Sequence, residues 1–119
     1  MKKLALDARQ IKDIASGHGG CIASDRITVD GLPVMYMSRD QPRHEMDSGW
    51  LFLSGTEDDD YMDDADNLAV YDVNTIANFD PSIAPWLDAP IGSEFEKEDE
   101  HAPFTATNTS EQRCNWSSN

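Results

Sequence analysis

At 119 residues the chain is long enough for one domain around one modest core, and its 39% apolar content, low for a globular protein, still lies above the disordered regime. Twenty-three Asp and Glu against nine Lys and Arg leave a net charge of −14, which repels nucleic acid and anionic membranes and steers basic protein partners inward. No stretch approaches the ~20 apolar residues of a membrane span, and Asp7 and Arg9 break the apolar run that a leader opening on Met1-Lys2-Lys3 needs; the expected location is cytoplasmic, with Cys21 and Cys114 as free thiols.

Residues 3–16 predict a first helix. Leu4, Ala8, Ile11 and Ala15 form one apolar stripe, and Gly17, Gly19 and Gly20 supply the stop. The stretches 21–29 and 33–39 read as a β-hairpin: Cys21-Ile22-Ala23 and Ile27-Thr28-Val29 are strand-like, Asp30-Gly31 is the turn, and Val34-Met35-Tyr36-Met37 returns behind Pro33. A polar loop, 40–48, leads into 49–54, where four large apolar residues, Trp50 to Leu53, stand between two Ser-Gly pairs. A run of that length with Gly at each edge favours a buried strand, central in its sheet and covered on both faces.

Residues 68–73 are another strand-like run, and Asn74 caps a helical turn over 75–78. Asp80-Pro81 opens a second short helix, 81–87, which turns Ile83, Trp86 and Leu87 inward. Residues 91–96 read as a last edge strand with Phe95 inward. From 101 to 119 Thr, Asn, Ser and Gln dominate and mark a weakly ordered polar tail, with Trp116 its anomaly. The expected fold is α+β, a mainly antiparallel sheet of four to five strands with an N-terminal helix and two short helices, in a single domain over 1–100.

Between the central run and the strand at 68–73 lies the densest charge in the chain. Residues 57–66 hold seven carboxylates in ten positions: Glu57, Asp58, Asp59, Asp60, Asp63, Asp64 and Asp66. Two like charges about 4 Å apart repel by roughly 1 kcal/mol even in water. Such a block persists when it is solvated, when it binds a cation, or when it meets a positively charged partner. These seven, with Tyr61 as an aromatic anchor, are the candidate partner-binding residues.

Other chemistries fit less well. An EF-hand loop starting at Asp58 places Met62 and Asp63 at positions 5 and 6, where an acidic ligand and Gly are needed; starting at Asp64, Leu68 fails. His18-x-x-Cys21 offers two soft ligands without a second pair. Asp47-Ser48-Gly49 matches the aspartic-protease tripeptide once, where the dyad needs two copies, and reads as a turn before a strand. No nucleophile–base pair is identifiable, so neither catalysis nor a cofactor is expected.

The segments CIASDRITVDGLPVMYMSRD, DSGW, DDDYMDDADN, YDVNTIANFDPSI and LDAPIGSEFE together resemble a bacterial family of small domains of unknown function grouped with the immunity proteins of polymorphic toxin systems, the class numbered thirty-three. The resemblance covers about residues 21–96 and is most specific over 71–81, YDVNTIANFDP. It implies an α+β domain of the bacterial cytosol without established catalysis, which binds a cognate toxin and blocks it. The expected function is therefore that of an acidic protein-binding domain that occupies a basic surface of a toxin. The alternatives are a divalent-cation-binding or regulatory domain whose acidic loop orders around the ion, and a non-catalytic bacterial or phage protein with a merely solvated loop.

Overall fold

Strands β1 (Gly20–Ser24), β2 (Tyr36–Arg39), β3 (Asp47–Leu53), β4 (Leu68–Asp72), β5 (Glu94–Glu96) and β6 (Thr105–Ala106) build one sheet in the order β4-β1-β3-β2-β5-β6. The computed structural model describes residues 4–6 and 8–107. Three short α-helices, α1 (Asp25–Thr28), α2 (Asp59–Asp63) and α3 (Val73–Phe79), accompany the sheet, with 3-10 turns at Ala8–Gln10, Ala65–Asn67 and Pro81–Trp86. The class is α+β, as expected, and the sheet is mostly antiparallel with one parallel pair, β1 with β3.

The Trp50–Leu53 run does form an interior strand, paired with β1 on one side and β2 on the other. Its coverage differs from expectation. Ser48, Trp50 and Phe52 are buried while Leu51 and Leu53 are only half-buried, so one face of the sheet is packed and the other is open. On the packed face Val73, Ile76 and Ala77 of α3, with Ile83 and Leu87 beyond it, close over the sheet. Aromatic rings fill the far end of that core: Trp50 stacks on Phe52 at 6.0 Å between centroids, and Trp86 lies 5.0 Å from Phe95. The Trp50 indole N–H donates to the Leu87 carbonyl at 3.2 Å, so the largest buried ring leaves no polar atom unpaired.

The predicted hairpin over 21–39 does not form. Its first arm ends at Ser24 and becomes α1, and β1 and β2 are separated in the sheet by β3. Asp30-Gly31 ends a helix instead of turning a hairpin: the Gly31 amide, at φ +78°, donates to the Ile27 carbonyl at 3.1 Å. Ile27 and Thr28, strand formers by propensity, are fully buried in that helical turn, where packing overrides local preference.

The N-terminal helix over 3–16 is likewise corrected; residues 3 and 7 lie outside the described residues, and the others contribute only the 3-10 turn Ala8–Gln10. The apolar stripe was too thin to hold a helix, with two of its four members alanine. The chain is instead tied down by two asparagines of α3. Asn74 Oδ1 accepts from the amides of Ile14 and Ala15, Asn78 Oδ1 accepts from that of Lys12, and both Nδ2 groups donate to the Lys12 carbonyl, all at 2.8 Å. The cap of α3 is Asp72, whose side chain accepts from the Asn74 amide, which frees Asn74 for this role. The turn opened by Asp80-Pro81 stands where expected, with Asp80 accepting from the Ser82 amide. Phe95 is buried, but β5 is not an edge: β6 pairs outside it, and Phe104 beside β6 is buried against Trp86.

Candidate partner-binding surface

The acidic segment is fastened at its first residue to the ends of β1 and β3. Glu57 reaches back so that Oε2 accepts from the Ser54 amide and hydroxyl, both at 2.9 Å, and from the Ser24 hydroxyl, while Oε1 accepts from the Gly55 amide at 2.9 Å. Ser24 and Ser54 are buried, so the Ser24 hydroxyl and the Ser54 amide depend on Glu57 for satisfaction, while the Ser54 hydroxyl also has the Thr56 hydroxyl at 2.7 Å. Ser24 stands at the N-cap of α1 yet makes no capping bond, because its hydroxyl is committed to Glu57. Burial pushes the Glu57 carboxyl upward, but the donors from Ser24 and Ser54 outweigh it and hold its pKa below the usual 4.5. Glu57 is thus an internal staple.

Beyond the staple the carboxylates divide into two roles. Asp58 caps α2 by accepting from the Tyr61 amide at 2.8 Å, and Asp64 caps the next turn by accepting from the Asp66 amide at 3.0 Å. Asn67 closes the segment with an Nδ2 bond to the Tyr61 carbonyl at 3.0 Å. The carboxylates of Asp59, Asp60, Asp63 and Asp66 are exposed and make no hydrogen bond or ion pair with any described residue. Tyr61 is half-buried, with the Arg26 guanidinium 4.7 Å from its ring centroid, so the protein's own cation takes one face of this aromatic. The segment is therefore ordered by its backbone, its caps and one staple, and not by neutralisation of its charge.

Alternation along the strands places Ile22, Leu51 and Val70 in one row of the open face, since Ile22 is opposite both Leu51 on β3 and Val70 on β4. Ser38 and Glu94 extend the row across β2 and β5. Asp47 and Asp72 lie at the end of this face remote from Glu57, where Ile22, Arg43 and Asp47 border two shallow depressions. An apolar floor framed by carboxylates was not anticipated from the sequence, because the strands carry too few residues for alternation to show which face is covered.

The remaining motifs have structural partners. Asp47 accepts from the amides of Arg43 and Gly49, both at 2.9 Å, and these bonds hold its pKa below the usual carboxylate value. Ser48 donates to the Gly20 carbonyl at 2.6 Å and accepts from the Trp50 amide at 3.1 Å, so the Asp-Ser-Gly tripeptide is part of β3 and not a turn ahead of it. Burial, reinforced by the charge of Asp72, pushes the Cys21 thiol far above its usual range, which leaves it a poor nucleophile. Among the described residues no three His, Cys, Asp or Glu side chains converge as metal ligands, the acidic segment included, and no helix is long and apolar enough to cross a membrane.

Comparison with curated proteins finds no match, and comparison with solved structures finds none. Comparison with protein families matches residues 21–108 to the immunity protein Imm33 domain, a span that takes in the sheet from Cys21 onward, the Glu57 staple and the acidic segment. The chain belongs to the Imm33 immunity protein family.

Proposed function

We propose that this immunity protein neutralises a cognate toxin by laying its acidic segment on a basic surface of that toxin, such as the nucleic-acid channel of a nuclease. The observation that carries the reading is the state of Asp59, Asp60, Asp63 and Asp66: four solvated carboxylates without partners among the described residues, on a segment whose backbone is already fixed. A pre-ordered charged surface steers encounter without an ordering cost at binding. The net charge of the whole chain, −14, has the same sign and strengthens the same field.

Changing these four residues together to Asn, and leaving the caps Asp58 and Asp64 in place, tests the proposal against the cognate toxin. The association rate constant at low salt is expected to fall about tenfold or more, and its dependence on ionic strength to flatten. The dissociation rate changes less. An association rate equal to that of the unmodified protein contradicts the proposal.

A further inference from the structure

β4 is an outer strand of the sheet, and an outer strand carries a row of main-chain donors and acceptors that no neighbour uses. The bond from the Val73 amide to the Gly19 carbonyl, at 2.9 Å, sets the phase of the β4–β1 ladder. With that phase Tyr71 exchanges bonds with Cys21 and Ala69 with Ala23, the alternate pairs of the same register. The N–H and C=O of Val70 therefore point away from β1, and no described residue pairs with them.

Proteins blunt such edges with lysine, proline, a bulge or a covering segment. Leu68–Asp72 has neither residue type and keeps regular register with β1 over its whole length. Its middle is apolar and open: Val70 is 75% exposed, and Met46, 69% exposed, borders the same shallow depression of about 340 Å³ together with His44 and Tyr71.

The charge around this edge selects its occupant. Asp72 stands at one end of β4, and Asp63, Asp64 and Asp66 lead into the other, so carboxylates bracket a stretch of roughly 17 Å. A second copy of the chain brings another −14 to the same place and is repelled. An extended segment rich in Lys and Arg is drawn in.

We infer that the toxin adds an extended basic segment to the outer edge of β4, as a further strand that bonds to the Val70 main chain and seats one apolar side chain between Met46 and Val70. The inference rests on the toxin-binding reading above and adds the main-chain geometry that the partner supplies.

Residue-resolved amide hydrogen exchange on the full chain, free and saturated with the cognate toxin, tests it. The Val70 amide is expected to exchange fast in the free protein and about tenfold or more slower in the complex, while the amides of Ala69 and Tyr71 are slow in both. Val70→Pro removes a donor that the internal ladder does not use and is expected to weaken binding about tenfold, whereas Val70→Thr keeps the N–H and binds nearly as well. Intact binding with a Val70 amide equally fast in both states overturns strand addition and leaves the acidic-surface reading standing. Absence of binding overturns both. A Val70 amide already slow in the free protein, together with a concentration-dependent dimer, overturns the toxin as occupant in favour of a second copy.

Discussion

Gly49→Ala is expected to destabilise the protein by about 3–5 kcal/mol, through left-handed backbone cost and a hard contact together. Gly49 sits inside β3 at φ +87°, and a Cβ built there lies 2.0 Å from the carbonyl oxygen of Asp40. That oxygen belongs to backbone and not to a flexible side chain. Asp40 is itself held by its amide bond to the Gly49 carbonyl at 2.9 Å, so relief requires parting the two chains beside the buried Trp50. Gly31→Ala is the control: at φ +78° its nearest neighbour is 3.8 Å away, so it carries the backbone cost of about 1 kcal/mol without the contact. Urea unfolding of both variants separates the two contributions, and the melting temperature of Gly49→Ala is expected to drop by roughly 10 °C or more.

Glu57→Ala is expected to cost about 2–4 kcal/mol, because the buried hydroxyl of Ser24 and the amides of Ser54 and Gly55 lose their acceptor, while the Ser54 hydroxyl keeps the Thr56 hydroxyl. The pH dependence has a definite sign. The folded-state pKa lies below the usual 4.5, so the ionised carboxyl stabilises the fold; that contribution is complete above this value and is lost as pH falls through the lower folded-state pKa. Glu57→Gln is therefore expected to be less stable than the unmodified protein at neutral pH, with the gap closing in strongly acidic solution. Urea titrations at the two conditions check it. Releasing the staple also loosens the acidic segment, so toxin binding weakens further by the cost of ordering it.

Much of the architecture was legible where a residue type admits one local role. Asp80-Pro81 can begin a helical turn and does, and a four-residue apolar run with Trp at its head is too costly to leave at an edge. The failures share a cause. Asp30-Gly31 fits a hairpin turn and a helix stop equally well, and the choice falls to the burial of Ile27 and Thr28 against distant parts of the chain. The segment around Lys12 and Ile14 has its backbone bonds satisfied by Asn74 and Asn78, some sixty residues away, which no local pattern announces. Within the acidic block the sequence shows the charge but not its division. Spacing alone does not tell Glu57, turned inward to two serines, from Asp59, turned out to water.

Carboxyl footprinting addresses the central claim most directly: a carbodiimide-coupled amine label applied to the chain alone and bound to the cognate toxin, with sites read by mass spectrometry. Asp59, Asp60, Asp63 and Asp66 are expected to label strongly in the free protein and to be shielded in the complex, while Glu98 and Glu100 label alike in both. Equal labelling of those four aspartates in the two states contradicts the account.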